Sequence, residues 1–129
     1  MILIVDDSIF NQQHLSIILS SQGYNYKVAA NGKDAVELSL KEKFDLILMD
    51  IEMPIMNGIE ASRKIRHKNN QNCNTPIILQ STSETTNELL RYKQLFNGRV
   101  IKPYSKDEIV TILDKYILNY NLFRITQSN

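Results

Sequence analysis

The chain has one cysteine, Cys73, no tryptophan, four glycines and three prolines in 129 residues. A single cysteine closes no internal disulfide, and its polar surroundings suit a reducing compartment better than a crosslinked secreted scaffold. Long apolar runs are also missing. The most extended lie at 2–5 and 46–49, a fraction of the roughly 20 residues that span a bilayer. The first of them runs into Asp6-Asp7 rather than a signal-peptide cleavage pattern. Neither sign of charge dominates, since 15 Lys+Arg against 14 Asp+Glu leave +1, which gives no global attraction to nucleic acid or an anionic membrane. These absences lead to an expected cytoplasmic protein with no membrane insertion and no direct nucleic-acid partner.

Hydrophobic residues make up 43% and charged residues 22% of the chain, which excludes wholesale disorder. At this length one domain can bury roughly two-thirds of its unfolded surface without disulfides or a structural metal. Short β-rich runs alternate with longer amphipathic stretches. Strands are expected at 2–5, 26–30, 45–49, 77–80 and 99–101, and helices at 8–22, 33–43, 59–67, 84–96 and from the capping box at Ser105 onwards. The predicted inner faces are Leu15, Ile18 and Leu19; Ala35, Leu38 and Ser39; Ile59, Ser62 and Ile65; and Ile109, Ile112, Leu113, Tyr116 and Ile117. Gly23 reads as a helix C′ residue. The Asn-rich segment 68–75 reads as a surface loop. Five buried strands alternating with five helices predict an α/β fold, a parallel sheet covered on both faces.

In open α/β sheets, ligands bind beyond the carboxyl ends of the strands. The residues at those ends are Asp6 and Asp7, Asp50, Ser81 and Thr82, and Lys102-Pro103. Singly, each has a plain explanation: an aspartate caps a turn, a serine starts a helix, a lysine is solvated. Jointly they bring three carboxylates, two hydroxyls and one ammonium to one end of the sheet. Crowded carboxylates raise one another's pKa unless a cation neutralises them. A hard divalent ion with oxygen ligands, Mg²⁺ first among them, suits the cluster. A site so neutralised can receive a phosphoryl group, with Asp50 as carboxylate nucleophile.

The segments Ile2-Leu3-Ile4-Val5-Asp6-Asp7, Met49-Asp50-Ile51-Glu52-Met53-Pro54-Ile55-Met56-Asn57-Gly58, Pro76-Ile77-Ile78 and Lys102-Pro103 resemble those of response-regulator receiver domains, the phosphoacceptor modules of two-component and phosphorelay signalling. Asn11 and Asn31-Gly32 resemble the receivers of hybrid histidine kinases. The resemblance covers about residues 2–118, with 119–129 as a C-terminal tail or the start of a linker. It implies a flavodoxin-like, doubly wound five-stranded sheet of order 2-1-3-4-5 with five helices.

It also implies roles for the site. Asp50 is the phosphorylated residue. Mg²⁺ is held by Asp7, Asp50 and the backbone carbonyl of Glu52, with Asp6 acting through water. Lys102 pairs with the phosphoryl group, and Ser81 donates a hydroxyl to it, with Thr82 as the register alternative. Partners are a histidine kinase or histidine phosphotransfer protein, and a weak homodimer through the face of the fourth and fifth predicted helices. Such a domain catalyses only its own phosphorylation and dephosphorylation and is not otherwise an enzyme; a hybrid-kinase parent would be a histidine kinase.

The chain departs from the family in two places. Arg99 stands where the family usually has Tyr or Phe, and is expected to stay outside or to pair with an acid or the phosphoryl group. The distance from Ser81 to Lys102 is one residue short, which predicts irregularity in the 84–96 helix or the loop after it. The competing reading is a receiver-like interaction module that uses no phosphate. A flavin carrier of the same sheet order is disfavoured because Asp6-Asp7 would repel the flavin phosphate and no tryptophan is present to stack on the ring.

Overall fold

The computed structural model describes residues 1–82 and 91–118. Five parallel strands, β1 (Ile2–Val5), β2 (Tyr26–Ala29), β3 (Leu46–Asp50), β4 (Ile77–Ser81) and β5 (Gly98–Ile101), form one sheet of order β2-β1-β3-β4-β5. β1, β3 and β4 are buried along their whole length, as continuous apolar runs between two helical layers should be. β2 lies at the edge, and three of its four residues are exposed.

Four α-helices are described: α1 (Ile9–Ser21), α2 (Gly32–Lys41), α3 (Gly58–Ile65) and α4 (Lys106–Leu113). Each begins where a side-chain oxygen accepts one of the N–H groups that a helix start leaves unpaired. The caps are Ser8, Asn31, Asn57 and Ser105. α1 stops at Gly23, whose φ of 81° is open to a glycine. α4 continues as a π-helical turn, Asp114–Leu118, which keeps Ile117 in the core.

The sheet separates two apolar clusters. Ile2, Ile4, Leu46, Leu48, Ile78 and Val100 pack under α1 and α4. Leu3, Val5, Ile47, Met49 and Ile77 pack under α2 and α3. Side chains along a strand alternate between faces, so the even-numbered strand positions belong to the α1/α4 side.

The structure corrects several expectations. Of the helix expected at 84–96, positions 84–90 lie outside the described residues. Its described end is a 3₁₀ turn, Lys93–Leu95, which leads directly into β5. Leu38 and Ile59 are half-buried, while Gly32, Gly58 and Ala61 fill the inner faces of α2 and α3. A Cβ on Gly32 or Gly58 would run into the backbone carbonyl of Met56 or Asp50.

The largest correction concerns 68–75. Asn70, Asn72 and Thr75 are buried. Asn72 accepts the Phe44 N–H at 2.8 Å and donates to the carbonyls of Ser39 (2.6 Å) and Glu42 (2.8 Å). The Asn70 amide donates to Ser39 Oγ. Close by, the Arg66 guanidinium donates to the carbonyls of Cys73, Thr75 and Leu95 and to Asn97 Oδ1. Lys68, Asn69, Gln71 and Asn74 are exposed as a surface loop requires, but the buried polar residues between them satisfy buried polar groups of the chain. The tail assigned to 119–129 lies outside the described residues. No described helix is long and apolar enough to cross a membrane.

Candidate functional site

Register places the acids. β1 and β3 pair Val5 with Met49, so Asp6 and Asp50 leave adjacent strands side by side. Asp50 in turn pairs with Gln80 of β4. Asp6 is fully buried and Asp50 is 6% exposed, while Asp7 faces solvent. Carboxylate oxygens of Asp6, Asp7 and Asp50 lie within 4.8 Å of one another.

Asp6 is both the turn former and the site residue. Its Oδ1 accepts the Ser8 N–H at 2.9 Å, at the entry to α1, and its Oδ2 accepts from Lys102 Nζ at 2.9 Å. Gln12 Nε2 holds the Asp6 carbonyl at 2.7 Å. Lys102 also approaches Asp50 Oδ1 at 3.4 Å. One ammonium therefore faces three carboxylates. Burial, and then the charge of Asp6, push the Asp50 carboxyl up to about 6; Lys102 opposes this and Asp7 adds to it. A bound cation relieves the mutual repulsion that raises the pKa of crowded carboxylates.

The donor set is all oxygen, as a hard divalent ion requires. Ligands of one Mg²⁺ at about 2.1 Å stand at most about 4.2 Å apart, close to the 4.8 Å that bounds the three carboxylate oxygens. The residues present fit the ion.

The loop after β3 is tightly built. Ile51 N–H bonds the Gln80 carbonyl, and Gly58 N–H returns to the Ile51 carbonyl at 2.9 Å. Gly32 N–H bonds the Met56 carbonyl, and Ile55 sits at φ 71°, a left-handed conformation that a β-branched residue adopts only under constraint. Glu52 is exposed in this loop. A Cβ on Gly58 would overlap the backbone carbonyl oxygen of Asp50. Gly58→Ala is therefore expected to lower stability by about 1–3 kcal/mol, measurable by urea unfolding. Unchanged stability would mean that this loop yields freely.

Ser81 is the buried last residue of β4, and its carbonyl accepts the Lys102 N–H at 2.7 Å; Thr82 lies past the strand and is exposed. Arg99 is exposed, the first of its expected placements. Sequence reasoning missed Gln80 and Tyr104. Gln80 is fully buried, and its Oε1 accepts from the Tyr104 hydroxyl at 3.2 Å. A polar residue closing the apolar run Ile77-Ile78-Leu79 was the available signal.

Comparison with known proteins gives a consistent picture. The family described as response regulator receiver domain matches residues 2–114. The autoinducer 1 sensor kinase/phosphatase LuxN of Vibrio campbellii is 35% identical over 116 residues, which are 90% of this chain and 13% of that protein. The transcriptional regulatory protein ResD of Bacillus subtilis is 36% identical over 110 residues, 84% of this chain and 44% of that one. The chain thus spans less than half the length of either relative. Among solved structures, the chemotaxis response regulator CheY4 of Vibrio cholerae superposes with a TM-score of 0.83 at 31% identity, covering 90% of this chain and 97% of that one. The receiver domain of a Pseudomonas aeruginosa sensor histidine kinase, with magnesium in its active-site cleft, gives 0.82 at 31% identity, covering 90% and 95%.

Proposed function

Because the chain belongs to the response regulator receiver domains of two-component signalling, we propose that it takes a phosphoryl group from phosphohistidine onto Asp50. The observation that carries this reading is the setting of Asp50 itself. It is a nearly buried carboxylate at a strand end, with an ammonium at 3.4 Å and oxygens of two further carboxylates within 4.8 Å. An oxygen of Asp50 attacks phosphorus while the bond from phosphorus to the donor imidazole nitrogen breaks, and the imidazole leaves with a proton from solvent. Bound by Asp7, Asp50 and the Glu52 carbonyl, with Asp6 acting through water, Mg²⁺ would supply the positive charge that lets an anionic phosphoryl group approach.

Lys102, already held between Asp6 and Asp50, pairs with the transferred group. Ser81, at the neighbouring strand end, donates its hydroxyl to that group, with Thr82 as the alternative donor. The acyl phosphate carries about one more negative charge than the carboxylate, which biases the loops after β4 and β5 and changes what binds there. The partners are a histidine kinase or histidine phosphotransfer protein, with the receiver occupying 1–118.

The test is the intact mass of the purified chain after incubation with Mg²⁺ and acetyl phosphate, repeated with a phosphorylated histidine phosphotransfer protein. A gain of one phosphate is expected, reversed by hydroxylamine. No gain from either donor overturns the reading in favour of a phosphate-independent interaction module.

A further inference from the structure

We propose that Gln80, Tyr104 and His14 form a line through which the state of Asp50 is read at the outer surface of α1. This rests on Asp50 as phosphoacceptor. Gln80 is the register partner of Asp50, and alternation puts both on the α1/α4 face of the sheet with Ile78 and Leu48. Its carboxamide is fully buried and half used. Oε1 accepts from the Tyr104 hydroxyl, while Nε2 has no hydrogen-bond partner among the described residues. A buried amide donor without an acceptor is rare in folded proteins. Here it lies on the face where phosphorylation would add oxygen acceptors and negative charge.

Tyr104 links this donor to the rest of the line. It stands two residues beyond Lys102, which binds both Asp6 and Asp50, so a shift of Lys102 towards a phosphoryl group passes to it along the backbone. Its ring is buried, and burial together with the charges of Asp6 and Asp50 opposes ionisation of its hydroxyl. On its other side the ring stacks on the His14 imidazole, with centroids 5.5 Å apart and planes 11° from parallel. His14 is exposed on α1. About one turn away on either side lie Phe10, 84% exposed, and Ile17, 69% exposed, at the spacing of one helix face. Two large apolar side chains beside the histidine are thus left in water.

His14 lies over an aromatic ring, so any tilt of Tyr104 moves the imidazole resonances. The chain has two histidines, and His67, exposed just past the end of α3, serves as an internal reference. The experiment records ¹³C-resolved histidine ring signals of the full chain before and after Mg²⁺ and beryllofluoride. It compares wild type, Tyr104→Phe and Gln80→Leu, with acetyl-phosphate mass gain measured in parallel. In wild type His14 is expected to move by more than its linewidth while His67 stays. In both variants the His14 shift is expected to be lost while the mass gain persists. A wild-type chain that gains phosphate without moving His14, or an undiminished shift in either variant, overturns the line and leaves Asp50 as phosphoacceptor. Absence of mass gain in wild type from both acetyl phosphate and the phosphorylated phosphotransfer protein overturns the phosphoacceptor reading, and the line with it. Should Gln80→Leu fail to fold, Tyr104→Phe, which removes one oxygen atom, decides alone.

Discussion

Asp50→Asn is expected to abolish the phosphate mass gain and, in the same molecule, to stabilise the metal-free domain at neutral pH. The first effect follows from removing the nucleophilic oxygen. The second follows from the direction of the Asp50 shift. The folded state holds this carboxyl at about 6 against an ordinary value of 3.8, so between those values the folded chain retains a proton that the unfolded chain has released. Stability from this group is fully present below about pH 3.8, declines as pH rises, and is gone above about pH 6. A shift of this size corresponds to roughly 3 kcal/mol. Asparagine has no charge to desolvate and avoids that cost. Urea unfolding in EDTA should therefore show the variant more stable than wild type by roughly 3 kcal/mol at pH 7.5 and nearly equal to it at pH 4. Added Mg²⁺ should narrow the gap at pH 7.5, because only wild type presents all three carboxylates to the ion. Equal stability at pH 7.5 without metal would show that Lys102 fully compensates Asp50.

Asn72→Ala is expected to have the largest effect on the fold. The side chain is fully buried and serves four partners: the Phe44 N–H, the Ser39 and Glu42 carbonyls, and the Thr75 hydroxyl, which donates to it at 2.9 Å. Truncation leaves several of these groups dry and unpaired, each at about 1–3 kcal/mol. A loss of at least about 3 kcal/mol is expected, which for a domain of this size lowers Tm by about 10 °C. A calorimetric scan showing a fall of less than about 3 °C would mean that water or a neighbouring side chain takes over the vacated partners.

Most of the site could be read in the sequence because strand ends are legible. An apolar run that stops at an acid fixes both the strand and the residue projecting from it, and Asp6, Asp50 and Lys102 meet in the structure as that logic requires. The start at Ser105 was equally clear from its capping box, while Asn31 and Asn57, read as turn residues, prove to cap helices that begin at the glycines after them. Two kinds of feature stayed hidden. One is the polar residue that works inside: Asn70 and Asn72 look like solvated loop in a one-dimensional reading, because their partners, the Ser39 hydroxyl and the Ser39 and Glu42 carbonyls, are about thirty positions away. The other is the polar pair formed across the fold. Nothing local links Gln80 to Tyr104, separated by 24 positions, and a buried glutamine acquires meaning only once its neighbour is known. The 3₁₀ turn at Lys93–Leu95 belongs with these. Its residues suit an α-helix by composition, and the entry into β5 decides otherwise.

The Arg66 and Asn72 contacts have a mechanical consequence. Arg66 and Asn97 tie the amino ends of β4 and β5 to the end of α3, and Asn72 ties the lead-in to β3 to the end of α2. Three adjacent strands are thus clamped at one edge of the sheet, while their other ends run out into loops. The tips carry Asp50, Ser81 and Lys102, with Tyr104 just beyond. The amide and guanidinium plug at the far end of the molecule therefore gives any change at the acidic site a fixed base to move against.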